Sequence, residues 1–132
     1  MKIRQIAVLF LLTSVLCLHS QAAGMSTIHS LESGAVAITN TQKNSSWVPV
    51  ALLFKFDAPA TGTITVERLV PCDSDLGAPG STAFLLASCA VSNNQQAVWI
   101  PEASIPFNLN DVLGIMSTIT NGTTEIIRKA NQ

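Results

Sequence analysis

The sequence predicts an all-β domain: an antiparallel β-sandwich, immunoglobulin-like or jelly-roll-like, with about seven strands, behind a cleaved N-terminal signal peptide. Three observations carry this expectation. Apolar residues alternate with polar ones through most of the chain, the period of a strand with one face in a core. Val, Ile and Thr are frequent within these runs, and they suit a pleated, half-buried surface. Clusters of Gly, Pro, Asn and Ser punctuate the runs at short intervals, as turns between short strands require.

The N-terminus reads as a targeting segment. Lys2 and Arg4 precede the uncharged run 6–18 (IAVLFLLTSVLCL), and polar His19, Ser20 and Gln21 lead into Ala22 and Ala23. A basic start, a short apolar stretch and small residues at the cleavage site make a secretory signal. Cleavage after Ala22 leaves the small Ser20 at −3. The 13-residue run falls short of the roughly 20 residues needed to span a bilayer. The expected organisation is a signal peptide over 1–22, a flexible leader or frayed edge strand over 23–34, and a single β-sandwich over 35–132. The expected destination is periplasmic, cell-surface or extracellular, with no stable membrane span after cleavage.

Residues 35–39 (AVAIT) read as the first strand of the domain, ended by Asn40. After the polar loop 41–46, residues 47–57 (WVPVALLFKFD) give the clearest strand. Val48, Val50, Leu52, Phe54 and Phe56 fall on one face by strict alternation. Residues 58–62 (APATG) read as a turn, so the strand over 63–70 (TITVERLV) is expected to fold back as a hairpin. Residues 71–80 hold two prolines and two glycines and read as a loop. Strands are expected over 82–91 and 97–100, separated at Ser92, Asn93 and Asn94 and stopped by Pro101. The runs 112–120 and 123–129 flank Asn121-Gly122, the strongest short hairpin signal. Pairing about that turn places Leu113, Ile115, Ile119 and Ile126 on one core face.

The charge balance excludes several function classes. The 132 residues are 48% hydrophobic and 11% charged, with net charge −1. Removing 1–22 leaves five Lys and Arg against eight Asp and Glu, a net charge of −3. So low a charge content does not suit a disordered tail. The lack of a basic surplus gives a nucleic-acid partner no electrostatic footprint.

Cys72 and Cys89 are the cysteines left after cleavage. Export and an even count predict a structural disulfide between them. No CxxC and no nearby histidine suggest a redox or metal role. His29 is the one histidine left, close to the new terminus, and no serine or cysteine triad can be assembled around it. Glu67 and Glu125 read as outward strand residues. Asp57, Glu102 and Asp111 sit beside turns, where acids serve as local hydrogen-bond acceptors. No pair of acids is marked for glycoside hydrolysis, so no enzyme and no cofactor are expected. Asp73 and Asp75 are a weak calcium candidate, because a third ligand and a distant glutamate are missing.

Trp47 and Trp99 are the candidate ligand contacts, as a stacking platform for sugar rings. Only six aromatic residues survive cleavage, and that scarcity favours core packing for both. Asn44 and Asn121 head N-glycosylation patterns, and Asn121 is also explained by its turn. The expected function is a secreted, non-catalytic structural or interaction domain: an envelope, surface, appendage or adhesion subunit. It would act through protein–protein contacts or self-assembly along neutral faces and strand edges. The alternative is a secreted carbohydrate-binding module using exposed tryptophan.

Overall fold

The computed structural model describes residues 24–73 and 79–131. The expected signal peptide therefore lies outside the described residues. Six strands follow in chain order: β1 (Met25–Ser30), β2 (Ala35–Thr39), β3 (Ser46–Asp73), β4 (Pro79–Trp99), β5 (Val112–Ser117) and β6 (Gly122–Asn131). All described pairings are antiparallel. No helix occurs among the described residues, and none is long and apolar enough to cross a membrane.

The sheet runs β1-β6-β3-β5-β2, with β4 on the other side of β3. β3 is its spine. The first part of β3, from Ser46 to Phe56, pairs with β6, and a later stretch, from Ile64 to Leu69, pairs with β5. Between Lys55 and Ala60 the register breaks: β3 advances five residues while β4 advances two. An excess of this kind bends a strand and sharpens its twist. The sheet therefore curls at that point into two halves, a sandwich-like arrangement. Leu52, Phe54, Phe56 and Ile126 from one half join Val36, Ile64, Val66, Leu113 and Ile115 from the other in one buried cluster.

This topology corrects the expected count of seven strands. Residues 58–62 do not reverse the chain, so 47–57 and 63–70 are successive parts of β3 and not a hairpin. In the same way 82–91 and 97–99 merge into β4, which ends one residue before the expected Ile100. Pro59 and Gly62 are compatible with a bend as well as a turn. Which one forms is decided by the long partner strand β4, which stays alongside on both sides of the break.

The Asn121-Gly122 hairpin also does not form. β5 pairs with β2 and β3, whereas β6 pairs with β1 and β3. Residues 118–121 carry the chain from one half of the sheet to the other. Gly122 is needed for space: a Cβ there would overlap the Lys55 carbonyl oxygen and lie 3.0 Å from Phe56 Cα. Gly122→Ala is thus expected to cost about 2–3 kcal/mol, the upper part of the range for overpacking. Urea unfolding with an unchanged slope and a lower midpoint is the measurement that checks it. Leu113, Ile115, Ile119 and Ile126 are all buried in the shared cluster as expected, though through contacts across the two halves.

A second break shifts the expected inward face of β3. Pro49 opposes Arg128 and Ala51 opposes Ile127, leaving Val50 as an extra residue. Trp47 therefore joins the cluster with Leu52, while Val50 is exposed. Val48 is buried but outside that cluster. Ahead of β2, residues 31–34 turn the chain between the halves. Gly34 takes φ +71°, and its N–H donates to the Leu31 carbonyl at 2.8 Å. A positive φ is cheap for glycine, and the turn drops Leu31 into the core.

Candidate functional site

Two features stand out once the strands are placed: a polar-aromatic stack that ties the loops together, and a long uncharged edge. The stack begins at Trp47, near the start of β3. Its ring lies parallel to that of Phe107, with centroids 4.6 Å apart and planes 1° from parallel. The backbones of the two residues also exchange hydrogen bonds, at 2.8 and 3.3 Å. The Arg128 guanidinium lies 5.2 Å from the Trp47 centroid and that of Arg68 5.6 Å from the Phe107 centroid. Both fall within the range where a cation is attracted to a ring face.

Arg68 donates from Nε at 3.2 Å and Nη2 at 2.6 Å to Asp111 Oδ2. The same oxygen accepts the Asn108 N–H at 2.8 Å. Nearby, buried Asn40 donates from Nδ2 to the Ser45 and Phe107 carbonyls, both at 2.9 Å. Its Oδ1 accepts the Gln42 N–H at 3.1 Å. Asn40 and Asp111 thus satisfy loop groups that burial would otherwise leave unpaired. Asp111 is committed to these bonds, a structural role that sequence reasoning caught only as a local acceptor. The Arg68 partner was missed, because a separation of 43 residues leaves no local signature.

Trp47 is buried in this stack, so its indole face is not available as a sugar platform. Trp99 ends β4 opposite Leu52 and is only partly buried against the core. Trp47 belongs to the buried cluster, and Trp99 packs against the same cluster from its margin. His29 Nε2 lies 3.2 Å from Thr27 Oγ1, on its own strand. Among the described residues no three His, Cys, Asp or Glu side chains gather as metal ligands. Asp75 and the Asp73 side chain, the calcium candidate, lie outside the described residues.

The expected Cys72–Cys89 disulfide is not formed, and both thiols are free. Cys72 stands opposite Gly80 and Cys89 opposite Ile64. The two cysteines are therefore eight β3 positions apart, about 26 Å at the rise of a strand, whereas a disulfide needs Cα atoms within about 7 Å. The reason is that 71–73 and 79–80 are not loop but the paired ends of two long strands, which carry the cysteines away from each other.

β4 is the most unusual element. Among the described residues it pairs only with β3, which leaves one side of a 21-residue strand without a partner there. No Lys, Arg, Asp, Glu or His occurs from residue 76 to residue 101. Phe84 is 52% exposed, Leu85 64% and Val98 57%. The other two edge strands, β1 and β2, also lack Lys, Arg, Asp and Glu. All such residues within strands sit on β3 and β6, which have neighbours on both sides. Edge strands ordinarily carry charge, proline or a bulge to block pairing with another chain. The edge strands themselves thus carry no Lys, Arg, Asp or Glu, although Asp73, at the end of β3, has β4 alone beside it. β4 carries two bulges, one between Asn94 and Val91 opposite Ala60 and Gly62, and one between Ala87 and Leu85 opposite Val66 and Glu67.

No family model matches the sequence, and no curated protein matches it. Among solved structures, the Drosophila NLP-core, studied for pentamer formation and histone binding, aligns with TM-score 0.48 and 11% identity over 83% of this chain and 99% of that one. The CBM22-1–GH10 modules of Clostridium thermocellum endo-1,4-beta-D-xylanase 10B, complexed with xylohexaose, align with TM-score 0.46 and 14% identity over 83% of this chain and 22% of that one. The CBM22-1 xylan-binding domain from Paenibacillus barcinonensis aligns with TM-score 0.42 and 10% identity over 82% and 96%. At these values the likeness is one of strand arrangement and carries neither a family nor a ligand.

Proposed function

We propose that this chain is an exported, non-catalytic interaction module that acts through protein–protein contacts made along its free strand edges. The placement of charge carries this reading. Edges kept free of charge favour strand addition, in which backbone hydrogen bonds supply affinity and exposed side chains add contact area. A merely soluble domain would be under pressure to block them. Low overall charge weakens long-range repulsion between subunits in the same direction.

A second reading, glycan binding, is supported by Trp99 alone, because it is the tryptophan that retains an accessible face. One experiment separates the two. Mass by light scattering is followed from low micromolar to the highest soluble concentration, for the mature chain and for Ile28→Lys, Ala37→Lys and Ala83→Lys, one on each edge strand. Asn44→Lys, in a loop, is the control. Association is expected to rise with concentration and to weaken at least tenfold in one or more edge variants, with the control unaffected. A strict monomer that binds soluble xylan, and loses it in Trp99→Ala, would overturn the proposal in favour of the glycan reading.

A further inference from the structure

The three free edges are not equivalent. β1 and β2 are six and five residues long, short enough to limit pairing by themselves. β4 offers a much longer run, and within it Phe84 and Leu85 are adjacent residues that are both more than half exposed. Adjacent residues on a strand point to opposite faces. Neither face of the sheet therefore covers β4 at this point. Leu85 stands opposite Glu67, and Phe84 opposite Arg68.

Charge decides what kind of strand fits beside it. Heterologous partners are commonly selected by complementary charge and by repulsion of wrong partners. β4 has no charge with which to do either. A two-fold interface sets one patch against its own copy, so any charge near the axis would meet its like. The uncharged run 76–101 is the composition that such a contact tolerates. The nearest acid, Glu67, is one strand further in. In a joined sheet the two Glu67 residues would be at least three strand spacings apart, about 14 Å, which is beyond the screening length in physiological salt.

Resting on the edge-interaction reading above, we propose that the occupant of the β4 edge is β4 of a second copy of this chain, antiparallel about a two-fold axis at Phe84. Directly opposite residues in an antiparallel pair share a face. With the axis at Phe84, this ring meets the same ring of the second copy on one face. Leu85 meets Ala83 of the second copy on the other face. Both exposed apolar groups are then covered at once, and the two sheets join into one.

The test is a cross-link in the mature chain carrying Cys72→Ser and Cys89→Ser. Cα atoms directly opposite in an antiparallel pair are about 4.5–5.5 Å apart, within disulfide range. Phe84→Cys in that background, with oxidised glutathione as oxidant, is expected to give a covalent dimer at least tenfold faster than Ile28→Cys on β1 or Ala37→Cys on β2. Because Phe84→Cys removes the ring at the axis, the pair Ala83→Cys and Leu85→Cys, mixed as separate chains, provides a second site. Association that persists in Ala83→Lys, with faster cross-linking at Ile28→Cys or Ala37→Cys, would overturn the β4 proposal and leave the edge reading standing. A chain that stays monomeric and cross-links at no site would overturn both.

Discussion

Phe107→Ala is expected to remove about 4 kcal/mol of stability, within the range for deleting a fully buried aromatic ring. Phe107 is 0% exposed, and its ring is packed in parallel against Trp47. The loss therefore includes a cavity and an aromatic pair, the latter contributing roughly 0.5–1.5 kcal/mol beyond burial. A domain of ordinary stability has only about 5–15 kcal/mol in total. A variant close to unfolding at room temperature is the anticipated outcome, read as a lower urea midpoint. Phe84→Ala is the contrast. That ring is half exposed, so its removal should change monomer stability by little, within about 0.5 kcal/mol. Equal losses at the two positions would show that the stack does not organise the loops.

Arg68→Ala is expected to cost about 3 kcal/mol, the lower end for removing one partner of a buried pair. The lower end applies because the Arg68 side chain keeps 23% exposure, whereas Asp111 keeps 4%. Without Arg68, the carboxylate retains the Asn108 N–H alone among its present donors. Asp111→Ala removes that stranded charge. The double variant Arg68→Ala with Asp111→Ala should therefore lose less than the sum of the singles. Arg68 also lies against the Phe107 ring, so a cycle between Arg68→Ala and Phe107→Ala should show coupling as well. Additive effects in both cycles would dissolve the stack into independent contacts.

Much of the fold was legible residue by residue. Alternation located the strand segments and the inward residues Leu52, Phe54, Ile64, Val66, Leu113 and Ile115. It failed at Val50, because one extra residue puts the segments on its two sides out of phase, and nothing in the tripeptide Pro49-Val50-Ala51 marks the insertion. It failed again at 58–62 and 121–122, where Pro and Gly were taken for reversals. The same residue types serve a bend or a close backbone approach equally well. Loop residues that carry the core, Leu31 and Phe107, fell outside any periodic run and so gave no signal. Export and an even count predict the cysteine pairing, whereas register places the two residues at distant points of one ribbon.

The edge surface was legible only in half. That 76–101 is uncharged is a property of the sequence. That residues 79–99 form a margin of the sheet, while Lys55, Glu67, Arg68, Glu125, Arg128 and Lys129 sit on interior strands, is a property of topology. Alternation is a local code, written by the pleat of the backbone, and it specifies which side of a strand is buried. Which strand lies beside which is set by contacts between residues far apart in the chain, such as Leu52 with Trp99 and Trp47 with Phe107. The chain by itself therefore determined an all-β, weakly charged domain with a period-two core. The tertiary structure decided that its longest uncharged strand, β4, would lie at a margin of the sheet, beside β3 alone among the described strands.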